Sequence, residues 1–226
     1  MPGLPLLALK ACNSVYSGAE GRLDCSAMEL LLIRHGLPIR LEKNDGTAAD
    51  PPLSEMGERQ AEALAHWLEG ERPIDRIYSS PLRRARDTAL PLSEKIGLDI
   101  ELEPRVSEYD RESSTYIPIE ELKEIDYAAW REFMKRGYPP GMDLTDFYQE
   151  VITSLQEIVV ENSGRRVAVF CHGGVINAWA SFILDFEFRL FFNPTYTSVN
   201  RFFASTEGIR SVGSLNEAAH LREMER

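Results

Sequence analysis

Residues 29–33 read Glu-Leu-Leu-Leu-Ile and residues 167–170 read Val-Ala-Val-Phe. Each run is too short for a helix and shows no alternation of apolar and polar residues. Such runs are strands buried on both faces, and those strands belong to parallel sheets covered by helices on either side. Shorter strands are predicted at Ile74–Tyr78 and Leu98–Leu102. Between them the spacing turns helical. Ser54 is placed to cap a helix reaching Glu69, with Glu55 and Glu58 in its first turns. Pro81 sits at a first helical position behind Ser80, opening a helix to Ile96 whose inner face is Leu82, Ala85, Ala89, Leu92 and Ile96. Further helices are predicted at Ile119–Arg136, Leu144–Asn162 and Gly173–Leu184. A hairpin pairs Ser198–Ala204 with Gly208–Val212. Strands alternating with helices define an α/β chain, a three-layer α/β/α sandwich around a mostly parallel sheet.

We expect one domain over residues 28–215, with 104–142 as an insertion facing the substrate and 216–226 as a charged tail. Residues 1–27 read as a poorly ordered extension; a targeting segment is the alternative, although Leu4–Leu9 is short for a signal core and no basic residue precedes it. Net charge is 25 minus 36, or −11. That argues against nucleic acid or an anionic membrane as partner, since both need a cationic face. A small anionic substrate remains compatible, because a local arginine cluster can oppose the global sign. Cys12, Cys25 and Cys171 are odd in number and widely spaced. They fit reduced thiols in a cytoplasm better than a disulfide framework or a zinc knuckle.

Open α/β sheets bind ligands at the carboxyl ends of their strands. Strand one ends in Arg34-His35-Gly36, strand two in Ser79-Ser80-Pro81 followed by Arg83-Arg84, and the later strand in Cys171-His172-Gly173-Gly174. Two of the four histidines thus meet at one sheet edge. Arg83 and Arg84 stand in a helix's first turn, where cations cost a few tenths to about 1 kcal/mol unless an anion joins them. The helix after Gly173-Gly174 offers a second positive end. The ligand these features suit is compact and multiply negative, such as a phosphate group.

The segments LIRHG (32–36), LSEMGERQA (53–61), SSPLRRARDTA (79–89) and CHGG (171–174) resemble the histidine phosphatase superfamily, which includes phosphoglycerate mutases. The resemblance spans about residues 28–215. It implies a phosphoglycerate mutase-like fold with one antiparallel edge strand. It also implies phosphomonoester hydrolysis through a phosphohistidine, without metal or other cofactor, on a small phosphorylated metabolite. Residue by residue, it implies that His35 is the nucleophile and that Arg34 and Arg84 clamp the phosphate. His172 donates to a phosphoryl oxygen, and Glu108 is the general acid, with Asp110 the alternative.

Mutase-like members carry Ser and Asn where this chain has Pro38 and Leu41, which favours hydrolysis over mutase activity. The rivals are a phosphoglycerate mutase and a catalytically poor protein that only binds a phosphorylated ligand. Tyr109, Tyr116, Trp130, Arg131, Arg136 and Tyr138 are candidate linings of the insertion, suited to an aromatic or multiply anionic leaving group, with Arg111 or Arg136 expected to tune specificity. Simple packing of the insertion explains those residues equally well. His66 and His220 read as surface residues. A homodimer is left open.

Overall fold

Strand β1 (Met28–Arg34) is buried along its whole length, as an uninterrupted apolar run requires. The computed structural model describes residues 27–136, 143–205, 208–222 and 224. After β1 the chain forms β2 (Leu41–Glu42), α1 (Glu55–Glu69), β3 (Arg76–Ser79), α2 (Arg83–Ile96), β4 (Ile100–Leu102) and β5 (Thr115–Tyr116). It continues through α3 (Ile119–Ile125), α4 (Tyr127–Arg136), α5 (Thr145–Glu161), β6 (Arg166–Cys171), α6 (Gly173–Leu184), β7 (Val199–Ala204) and β8 (Arg210–Glu217). The extension at 1–26 and Tyr138 lie outside the described residues.

Six strands form one sheet in the order β4-β3-β6-β1-β7-β8. The first four run parallel; β7 runs against β1, and β8 against β7. Successive residues of a strand face opposite ways, so each central strand feeds two cores. Leu30, Leu32, Val167 and Val169 pack with Val151 and Leu155 of α5 and Trp179 of α6. Leu31, Ile33, Ala168 and Phe170 pack with Leu64 and Leu68 of α1 and Leu92 of α2. Two cores on one sheet make the three layers. A separate two-stranded sheet pairs β2 with β5 and ties the loop after β1 to the 104–136 segment.

The amino ends of the strands carry a buried charge network. Arg166 Nε lies 3.0 Å from Glu29 Oε2, and its Nη2 pairs with Glu71. Arg201 reaches Glu29 at 3.0 Å, Glu71 at 2.8 Å and Glu217 at 2.9 Å. These cations hold the amino end of the sheet together.

Local structure departs from the sequence reading in three places. The helix expected over 119–136 is two helices, because Asp126 ends α3 and its Oδ1 accepts from Ala129 N–H at 2.9 Å. Asp competes for backbone donors in this way and so favours caps. Helix α2 starts at Arg83 rather than Pro81; Ser80 Oγ accepts from Leu82 N–H at 3.2 Å and holds the turn before it. His220 is not a free surface group. It stacks on Trp67 with ring centroids 5.1 Å apart and lies 3.0 Å from Thr197 Oγ1, while the neighbouring Leu221 is buried. His66, by contrast, is exposed. Among the described residues no helix is long and apolar enough to cross a membrane.

Candidate active site

Strand register builds the site. Arg34 pairs with Cys171 across β1 and β6, and Phe170 with Ser79 across β6 and β3. Two backbone bonds carry the ladder one step further. His35 N–H donates to Cys171 O at 3.0 Å, and Ser80 N–H donates to Phe170 O at 3.0 Å. His35, His172 and Ser80 therefore stand side by side at the carboxyl edge. The two imidazole centroids are 5.1 Å apart. Behind His35, Gly36 crosses Gly57 of α1; a Cβ on Gly36 would meet Gly57 O at 2.7 Å. This close crossing is the reason for glycine in both RHG and SEMGE. Gly36 N–H also donates to Thr88 Oγ1 at 2.8 Å, which couples β1 to α2.

Hydrogen bonds fix the imidazoles. His35 Nδ1 is 2.8 Å from Gly36 O, so Nδ1 carries the proton and Nε2 keeps its lone pair. Burial, then Arg84 and Arg34, hold the His35 pKa well below the ordinary imidazole value. Burial is the larger cause, and the arginines add to it. Burial and the same cations depress His172 as well. His172 Nε2 lies 3.0 Å from Ser80 Oγ, which itself accepts from Leu82 N–H. His172 Nδ1 has no hydrogen-bond partner among the described residues.

Two arginines complete the floor. Arg34 donates through Nη1 to Asn193 Oδ1 at 3.1 Å and to Pro194 O, with its guanidinium 3.9 Å over the Tyr196 ring. Arg84 lies 4.7 Å over the Tyr116 ring and 3.5 Å from Asp110 Oδ1. Both are buried, yet Arg34 Nε and Arg84 Nε and Nη2 have no hydrogen-bond partner among the described residues. Native structures rarely leave buried donors unmatched. Arg83, its neighbour on α2, is exposed and pairs with Asp87.

Glu108 approaches from the 104–136 segment. Its Oε2 accepts from Gly174 N–H at 2.9 Å. A Cβ on Gly174 would collide with this carboxylate, so the second glycine of CHGG makes room for the acid. Burial, then the negative charge of Asp110, lift the Glu108 pKa to about 7. Asp110 is raised too, by burial, against the pull of Arg84. The helix ends offered to an anion in the sequence reading are thus engaged by carboxylates. Glu108 takes Gly174 N–H of α6, and Asp50 takes Arg83 N–H of α2 at 2.8 Å. The side chains of Arg34, Arg84 and His172 are left to meet an external anion.

All five predicted site residues converge, and Asp110 joins them. Arg34, His35, Arg84, Glu108 and Asp110 line a cavity of about 610 Å³, and His172 is buried beside His35, outside the lining. Tyr109 and Tyr116 line it as expected. Arg111 does not; its Nη1 lies 3.2 Å from Glu150 Oε2, and that ion pair takes its charge away from the cavity. Trp130 stacks on Tyr127 instead, and the side chain of Arg136 lies outside the described residues. Sequence reasoning missed Asn193 and Tyr196, which hold Arg34. The Asn193-Pro194 pair marks a turn but does not announce a contact 160 residues away.

A family profile for the histidine phosphatase superfamily (branch 1) matches residues 30–216. The chain belongs to the histidine phosphatase superfamily. Within it, the chain is 31% identical over 183 residues to phosphoserine phosphatase 1 of Hydrogenobacter thermophilus, covering 77% of this chain and 84% of that protein. It is 28% identical over 214 residues to a bifunctional protein of Mycobacterium tuberculosis, covering 91% of this chain but 57% of that one. The histidine phosphatase chain described here thus spans little more than half the length of that relative. The fold also matches a solved mycobacterial glucosyl-3-phosphoglycerate phosphatase with a TM-score of 0.65 at 24% identity, covering 84% of this chain and 99% of that structure.

Proposed function

We propose that this histidine phosphatase hydrolyses phosphate monoesters of small metabolites through a phosphorylated His35. One observation carries the reading: unpaired donors on buried Arg34 and Arg84, with the unpartnered Nδ1 of buried His172 beside them, surround an imidazole whose Nε2 lone pair is free. A neutral nucleophile among buried cations suits a phosphoryl dianion and little else. In the first step His35 Nε2 attacks phosphorus and the bond from phosphorus to the ester oxygen breaks. Glu108, protonated below about pH 7, gives its proton to the leaving oxygen and frees the alcohol. In the second step the Glu108 carboxylate takes a proton from water. That oxygen attacks phosphorus, the N–P bond breaks, and phosphate leaves with His35 restored. Arg34, Arg84 and His172 hold the transferring oxygens throughout and supply the charge stabilisation without a metal. The phosphatase name of the Hydrogenobacter relative supports hydrolysis as the outcome. The buried thiol of Cys171 and the acidic composition suit a cytoplasmic enzyme.

The test is phosphate release from a panel of monoesters with EDTA present, for wild type and His35→Ala. We expect release by wild type alone. Acid-labile, alkali-stable label from a ³²P-ester should appear on wild type and be absent from the variant. Label-free turnover, or turnover abolished by the chelator, would defeat the mechanism.

A further inference from the structure

Resting on the phosphatase reading, we infer that the preferred substrate is a monoester whose alcohol is a sizeable apolar group without a second negative charge. The cavity of about 610 Å³ is far larger than a phosphoryl group, and it lies within the range of pockets that enclose drug-sized ligands. Its cations are Arg34 and Arg84, and the rest of its lining holds two apolar groups beside acidic side chains and polar ones such as Ser113 and Thr115. The first apolar group is Ile117, Ile119 and Leu122, from the segment around α3. A second apolar group in the lining is Leu190, Phe191 and Phe192, from the segment after α6. This segment is anchored rather than loose: Asn177 of α6 accepts from Phe191 N–H at 2.9 Å and donates to Phe192 O at 3.0 Å. The apolar wall is therefore preformed.

Charge points the same way. The two arginines match the two charges of one phosphate. Among the described residues, the remaining charged groups lining the cavity are Glu108, Asp110 and Glu112, all acidic. A carboxylate on the alcohol would meet carboxyl groups and hydrocarbon there, and would lose hydration without a counter-ion. An alkyl chain would leave water for the six apolar side chains, gaining roughly threefold to fourfold in affinity per buried methylene.

A matched pair of ligands isolates this. Hexylphosphonate and 6-phosphonohexanoate carry the same phosphonate and differ in a terminal carboxylate; neither can be hydrolysed. Calorimetric titration into the full chain should show hexylphosphonate binding at least tenfold tighter than 6-phosphonohexanoate, and at least tenfold tighter than ethylphosphonate. Leu122→Arg should narrow the first gap by fivefold or more. Equal binding of the three, or tighter binding of the carboxylate, overturns the inference. Turnover is read separately on hexyl phosphate and ethyl phosphate, whose leaving alcohols are alike. Binding selectivity without release of phosphate from any ester would sustain the pocket and sink the phosphatase reading. Turnover with kcat/KM independent of chain length would do the reverse.

Discussion

The two ends of the sheet use the same residue types to opposite ends. At the amino edge, buried Arg166 and Arg201 are matched by Glu29, Glu71 and Glu217. At the carboxyl edge, buried Arg34 and Arg84 keep donors with no hydrogen-bond partner among the described residues, and the carboxyl groups nearby, Asp110 at 3.5 Å from Arg84 and Glu108, are both held toward their neutral forms by burial. Strand β1 contributes to both, with Glu29 at its start and Arg34 at its end. A buried cation with its counter-ion supplied by the chain fixes structure. A buried cation without one is a site, because its desolvation is compensated only when an anion arrives.

Removing the nucleophile gives the largest separation of the two ends. His35→Ala should lower kcat on every ester by on the order of 10⁴-fold or more while leaving the melting temperature within a few degrees of wild type. Kinetics with circular dichroism melts check this, and retained turnover would remove His35 from the reaction. At the other edge, Arg166→Ala takes a buried cation from Glu29 and half-buried Glu71, which keep Arg201, and should cost stability by less than the about 3–5 kcal/mol of a fully stranded pair. For a chain this size each kcal/mol is worth about 2–4 °C. Phosphate affinity of the folded protein should be unchanged; a parallel loss of affinity would show the two ends to be coupled.

Glu108→Gln sharpens the comparison at the carboxyl edge. It should reduce kcat/KM for alkyl esters by roughly 10²–10³-fold. In wild type, kcat/KM should fall as pH rises past about 7, where the acid form is lost, and that limb should vanish in the variant. Stability should move the other way. The folded pKa is raised above that of the unfolded chain, so the carboxyl weighs against folding increasingly between about pH 4.5 and 7 and fully above that. The variant should therefore be more stable than wild type at pH 8, on the order of 2 kcal/mol, and no more stable at pH 4. The smallest effect is linkage. Inorganic phosphate at ten times its dissociation constant should stabilise wild type by about 1.4 kcal/mol, and Arg84→Met should abolish that shift. A phosphate shift that survives in Arg84→Met would place the anion elsewhere.

Much of this was readable in the chain. The apolar runs at 29–33 and 167–170 located the central strands, and the polar residues directly after them located Arg34, His35 and His172. Arg84 came with its helix and Glu108 from the family pattern. What escaped was partnership at a distance. Asn193 and Tyr196 hold Arg34 across about 160 residues, and Glu150 pairs with Arg111 across 39. The little β2–β5 sheet is two residues per strand, too short for any periodicity. Periodicity reports which face of an element is buried; it does not report which element lies opposite.

Strand β1 also carries a consequence for synthesis. It is the first described element, apolar between Glu29 and Arg34, and it lies at the centre of the sheet. Its neighbours arrive late: Glu29 pairs with Arg166 on one side and Phe203 on the other. At ribosomal speeds of about 5–20 residues per second, the first of those partners emerges roughly 7–27 s after the strand itself. Through that interval MELLLIR has two open hydrogen-bonding edges, and the face that α5 and α6 cover stays bare for most of it, the condition in which chains pair with one another. Yield in a cell should therefore respond to holding chaperones and to slower or faster translation of residues 30–170 more than to the stability of the finished fold.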